Sequence, residues 1–422
     1  MPERPNVILL SLDEVRSDHL GCYGYERIRT AAFDRIAEEG TLFENCISSS
    51  ELTCIAMAAV VTGRHPSRNG MRDPYSQVAA TSLATIFHDA GYQTAGFVGN
   101  GILSAEHGFS TGFDHWDECS EEKSWASAAY KLSTNKRRFF EGNYWIEEFF
   151  SWLEAHRDGP FLMWGHYFET HEGSEHYLLE QGHIEEGKLA EFGYYDAKIA
   201  MVDDVLIARL LDTLDRLGIA SNTYVVVMAD HGTNLGDHAV TDLPWRERGT
   251  KYPQHTTMYD HDLRVPVGVR GPGIPESQRV QGVVASIDLA PTLCELAKVS
   301  LTGVEFDGVS LVPAMAAGVS KGRRAYSEDL FEARGDGALQ AITTDQLKYM
   351  RNLTRWTEEY YDVCTDPKET RNTVGALAPA ALVELRKELN GFLQGEKGAS
   401  QLPSGVDRER VDERLRDLGY IQ

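Results

Sequence analysis

What is scarce in this 422-residue sequence narrows its class more than what is common. The 6 cysteines are spread without a C-x-x-C pair or any paired spacing. That excludes a disulfide-knit secreted scaffold and a cysteine-rich zinc site, and leaves free thiols in a reducing compartment. No window approaches the ~18 consecutive apolar residues of a membrane-spanning helix, so no membrane span is expected. Basic residues are in deficit: Lys and Arg total 41 against 64 Asp and Glu, a net charge of −23. Such a surface repels nucleic acid and anionic membranes, so neither is expected as a partner. An anionic substrate would need a local positive centre: a metal, a helix N-terminus or a few basic side chains. Internal repeats and low-complexity tracts are also missing. A strand-like run begins at residue 6 and leaves no room for a signal peptide, so the expected location is cytoplasmic. A homo-oligomer is compatible with all of this.

What is present is the pattern of an α/β protein. Asn6–Leu12, Gln93–Val98, Phe161–His166, Thr223–Met228 and Val265–Arg270 are short, continuously apolar runs rich in β-branched and aromatic residues. Helical spacing separates them at Ala31–Glu39, Leu83–Ala90, Trp145–His156 and Phe192–Leu217, and Val283–Ile287 leads into a helix at Ala290–Ala297. Continuous rather than alternating hydrophobicity implies a mostly parallel central sheet sandwiched by helices. From about Arg323 the texture changes to short strands at Leu339–Thr343, Leu347–Arg351 and Glu359–Val363, with a helix near Ala380–Leu393. We read a catalytic domain over 1–322 and a smaller α+β subdomain over 323–422.

In parallel sheets, ligands sit beyond the carboxyl ends of the strands. Three strand ends carry suitable groups: Asp13-Glu14, then Glu169-Thr170-His171, then Asp230-His231 with Asp237-His238 beyond. A single carboxylate at a strand end is usually a cap; three such ends favour a site. Hard oxygens with an imidazole suit one divalent cation, Mn, Ca, Mg or Zn, held by Asp13, Asp230 and His231, with Glu14 next in line. The segment Glu51–Pro66 (ELTCIAMAAVVTGRHP) supplies a helix over Cys54–Val61 with Thr53 at its N-cap. The first-turn N–H groups would face an anion. A metal-bound Thr53 oxygen would be a nucleophile; the plain alternative is a helix cap. Cys54 reads first as a small buried residue and second as a nucleophile. His171 and His255 are candidates to protonate a leaving group or hold an anionic oxygen.

These residues fall in blocks that resemble the sulfatase branch of the alkaline phosphatase superfamily, in order along nearly the whole chain. The blocks are VILLSLDEVRSDHLGCYGY, TGRHPSRNG, LATIFHDAGYQTAGFVGN, GHYFETH, YYDAKIAMVDD, MADHGTNLGDH, YDHDLRVPVGVRGPG and YYDVCTDPKETRN. The resemblance implies an alkaline phosphatase-like fold. It also implies metal ligands at Asp13, Asp230 and His231, with Glu14 where a second Asp is usual. His171 falls on a family histidine, and His255, nine residues before Arg264, falls where an active-site lysine is common.

The family's nucleophile motif, C/S-x-P-x-R, has its Cys or Ser oxidised to formylglycine and stands nine residues before T-G-R. Counting back from Thr62 reaches Thr53, with Ile55 and Met57 in place of the Pro and Arg. Starting from Cys54 instead puts Ala56 and Ala58 there. Threonine cannot become formylglycine. Relatives that keep an unmodified threonine act on phosphate diesters or phosphonate monoesters. The expectation is therefore a metal-dependent hydrolase of such esters, on a small anionic substrate, through a covalent Thr53 intermediate. Two alternatives stand beside it: a sulfatase using Cys54, and a metal-binding pseudoenzyme.

Overall fold

A computed structural model describes residues 4–118, 144–168, 193–238, 257–331, 337–393, 409 and 411–412. Among the described residues, the first sheet has eight strands. They are β1 (Asn6–Leu12), β2 (Gly40–Ile47), β3 (Gln93–Val98), β4 (His115–Glu118), β5 (Phe161–Tyr167), β6 (Thr223–Ala229), β7 (Arg264–Arg270) and β8 (Gln278–Ala285). Their order is β4-β3-β5-β1-β6-β7-β2-β8. The central strands β1, β5 and β6 are fully buried, which is why their sequences show no polar alternation. Only β7 runs against the rest: it is antiparallel to both β6 and β2. The carboxyl ends of the other seven therefore share one edge, and β7 starts there.

Helices flank this sheet. Phe33 and Ile36 of helix Ala31–Glu38 belong to the main core. The N-terminus of that helix is closed by a distant residue. Asp203 accepts hydrogen bonds from the N–H groups of Ala32 (2.9 Å) and Phe33 (2.7 Å). Asp203 begins a π-helical turn, Asp203–Ala208, between helices Gly193–Val202 and Arg209–Leu217. The single helix expected over Phe192–Leu217 is thus interrupted by a wider turn. Asp203→Ala should cost about 1–2 kcal/mol, as loss of a helix cap does. Urea unfolding of the two proteins at neutral pH checks this.

The second sheet is antiparallel, in the order β12-β11-β10-β9. Its strands are β9 (Ala325–Asp329), β10 (Leu339–Thr343), β11 (Leu347–Asn352) and β12 (Thr357–Asp362). One face shares an apolar cluster with the first sheet: Ala341, Met350 and Tyr361 pack with Ile47, Leu263 and Ile287. The other face carries helix Pro379–Leu393 through Tyr326, Tyr349 and Leu389. An ion cluster reinforces the seam. Lys348 of β11 is fully buried, and its Nζ lies 2.7 Å from Asp260 and 2.9 Å from Glu369. Glu369 also accepts a hydrogen bond from the Asp260 backbone N–H at 2.7 Å.

Candidate active site

The chemistry-bearing residues gather at the shared carboxyl edge. The ladders run one residue beyond the strands. Asp13 N–H donates to Tyr167 O (3.0 Å), and Asp230 N–H donates to Leu12 O (3.1 Å). This places Asp13 and Asp230 side by side. Asp13, Asp230 and His231 are fully buried, and each offers one ligand atom within 4.8 Å of the others. Among the described residues no other His, Cys, Asp or Glu cluster comes together in this way.

The turn after Asp13 is held from both sides. Glu14 has a left-handed backbone, φ 59°, which an ordinary residue adopts only under constraint. The constraint is Tyr195, whose hydroxyl donates to Glu14 O (2.6 Å) and accepts from Arg16 N–H (2.8 Å). Glu14 N–H donates in turn to Asp230 Oδ1 at 3.2 Å. Glu14 is buried beside the cluster but is not one of the three converging ligands. Gly232 follows His231 because a side chain there would collide with His261 O, 2.1 Å from a built Cβ.

Thr53 completes the group. It is the first residue of helix Thr53–Thr62, and Leu52, not Thr53, holds the N-cap position. Its hydroxyl is therefore not consumed as a cap. It lies 3.1 Å from His231 Nε2 and 3.5 Å from Asp13 Oδ1. His231 Nδ1–H donates to Gly232 O at 2.8 Å, which turns Nε2 towards Thr53 and the two carboxylates. The loop before the helix is tied into both sheets. Ser48 Oγ donates to Asp230 O (2.5 Å), Ser327 Oγ donates to Ser48 O (2.6 Å), and Glu328 N–H donates to Ser49 O (2.9 Å).

Cys54 points elsewhere. It is fully buried in the main apolar core, and burial first, then Asp73 and Asp329, push its thiol far above the ordinary range. A thiol in that setting is inert. The shifted register that would make Cys54 the nucleophile thus finds no support in the geometry. His171, His255 and the segment around Glu169 lie outside the described residues. Asp237 pairs with Arg16 at 2.5 Å, and His238 stacks on Tyr259 at 3.8 Å; neither joins the cluster. Sequence reasoning missed the parts played by Tyr195 and Ser48, since a tyrosine on a helix stripe and a loop serine carry no periodic signal.

The donor set fits a divalent cation. Burial, then repulsion from Asp230 and Glu14, push the Asp13 carboxyl well above its usual range. Among the described residues, none donates a hydrogen bond to the buried Asp230 Oδ2. Two clustered, buried carboxylates are costly without a cation and, with the imidazole beside them, become ligands with one.

The comparisons with known proteins give the chain its family. The family model described as Sulfatase matches residues 5–299, and the model described as N-sulphoglucosamine sulphohydrolase, C-terminal, matches 250–395. The ulvan-active sulfatase of Formosa agariphila is 26% identical, over 89% of this chain and 78% of that protein. An N-acetylglucosamine-6-O-sulfatase of Bacteroides thetaiotaomicron is 23% identical, over 93% of this chain and 86% of that protein. The solved phosphonate monoester hydrolase of Agrobacterium radiobacter superposes with a TM-score of 0.72 at 21% identity, over 92% of this chain and 95% of that one. With the match to the Sulfatase model covering well over half of its length, the chain belongs to the sulfatase family.

Proposed function

We propose that this protein is a metal-dependent ester hydrolase whose first substrate class is the sulfate ester. The observation that carries the site is the Thr53 hydroxyl, within hydrogen-bonding distance of His231 at the N-terminal turn of a helix. Sulfate is placed first because the ulvan-active and N-acetylglucosamine-6-O enzymes are sulfatases by name. This reverses the order expected from the sequence, where phosphoryl chemistry came first. The second reading, hydrolysis of a phosphonate monoester or phosphate diester, rests on Thr53 itself, since a threonine cannot supply formylglycine.

Asp13, Asp230 and His231 would hold the cation, which lowers the pKa of a nearby hydroxyl and balances the ester's negative charge. Thr53 Oγ attacks sulfur as the ester S–O bond breaks, leaving a sulfate ester on Thr53. The first-turn N–H groups of the helix stabilise the oxygens of the transferring group. The departing oxygen takes a proton, for which His171 and His255 are the candidates. Water then cleaves the threonine ester and restores the hydroxyl.

The test is turnover of p-nitrophenyl sulfate, p-nitrophenyl phenylphosphonate and bis(p-nitrophenyl) phosphate by Mn²⁺-loaded protein, with mass mapping of the peptide around Thr53. Faster release from the sulfate, with a sulfo adduct on Thr53, supports the first reading. Preference for either phosphorus ester, with a phosphorus adduct, puts the second ahead. No turnover and no adduct would leave a metal-binding pseudoenzyme.

A further inference from the structure

A fully buried histidine lies beneath the three candidate ligands, and nothing in the chemistry above uses it. His166 on β5 pairs in register with Ser11 on β1, and Ser11 pairs with Met228 on β6. Side chains two residues apart share a sheet face. Asp13 and Asp230 follow Ser11 and Met228 by two residues, so the His166 ring lies one layer below the two carboxylates.

A directed chain of hydrogen bonds fixes the ring. Trp164 Nε1–H donates to Ser11 Oγ at 2.9 Å. An indole only donates, so the Ser11 proton remains available to another acceptor. His166 Nδ1 is 2.9 Å away, whereas Gly165 O is at 3.4 Å. Nδ1 therefore accepts and Nε2 carries the hydrogen. Among the described residues, that buried Nε2 makes no hydrogen bond, and neither does the buried Asp230 Oδ2, although His231 Nε2 approaches it at 3.5 Å. Burial, opposed by Asp230 and aided by His231, holds the ring's pKa down at about 4, so the imidazole is neutral.

We propose that His166 is a positioning residue for Asp230: its Nε2–H reaches Asp230 Oδ2 through one buried water and sets the carboxylate's orientation towards a bound cation. The inference rests on Asp13, Asp230 and His231 being that cation's ligands. A carboxylate oxygen has lone pairs for both a metal and an N–H-directed water, and such outer partners tune metal affinity.

The experiment is calorimetric titration of Mn²⁺ into metal-free wild type, His166→Phe and His166→Gln, with ¹⁵N NMR of the His166 ring in wild type. Phenylalanine fills the space without a donor; glutamine returns an N–H near the Nε2 position. The expected result is binding weakened about tenfold or more in His166→Phe and restored to within about threefold in His166→Gln. The NMR spectrum should place the ring proton on Nε2. Equal affinity in His166→Phe, or glutamine as weak as phenylalanine, would overturn the inference, as would a proton on Nδ1. A wild type that takes up no Mn²⁺ refutes the metal-site reading itself, and that shows before any variant is made.

Discussion

Lys348→Met should destabilise the protein by about 3–5 kcal/mol, because removing one partner of a buried ion cluster leaves the other charges uncompensated. Lys348 is fully enclosed and serves two carboxylates at once, Asp260 and Glu369. Burial pushes Glu369 up, to about 7, although Lys348 pulls the other way. Asp260 is held below its usual range: burial raises it, but Lys348 outweighs that effect. The pH dependence follows from these directions. A carboxyl raised in the folded state favours folding at low pH and loses that contribution as pH rises through its folded value. Without the ammonium, Glu369 rises further and Asp260 loses the charge that holds it down. The penalty of Lys348→Met should therefore be larger at pH 8 than at pH 5.5, where Glu369 remains protonated. Chemical denaturation of both proteins at the two pH values measures it. An equal loss at both would mean that lost packing, not lost charge, dominates.

The largest effect on turnover is expected at Thr53. Thr53→Ala should lower kcat by at least about 10³-fold on whichever ester the wild type prefers, as removal of a nucleophile does. Thr53→Ser should retain measurable turnover, since it keeps the oxygen beside His231 and Asp13. Cys54→Ala removes a core thiol and should change kcat only a few-fold, with a modest drop in melting temperature. Steady-state kinetics on the three variants distinguish the two registers. Activity surviving in Thr53→Ala but lost in Cys54→Ala would hand the nucleophile to the cysteine.

Much of this was legible because burial writes itself into sequence. β1, β5 and β6 are enclosed on both faces, so their apolar runs had no other reading, and their ends located Asp13 and Asp230. Strands at the margins were harder to see. β4 is the four-residue edge segment His115–Glu118, half-buried throughout and half acidic. β2 carries Glu44 and Asn45 at an irregularity in its pairing, which hid the strand that delivers the chain to Thr53. The reversed direction of β7 has no signature at all, since a buried strand reads the same either way along the sheet. At the site, spacing placed Thr53 correctly at the start of a helix but one position out of register with the cap. No local pattern could show that Tyr195 and Ser48, far apart in the chain, brace the two turns that carry Asp13 and Asp230.

The bonds from Ser327 and Glu328 to the loop before Thr53 also set an order of assembly. The carbonyls of Ser48 and Ser49 find these partners only after some 280 further residues have been made, a long loop to close before the contacts repay it. On a growing chain, the loop that leads to Thr53 would thus remain underdetermined until the second sheet arrives. A nascent or truncated protein would have β1 and β6 in place and still lack the contacts that fix the loop before Thr53.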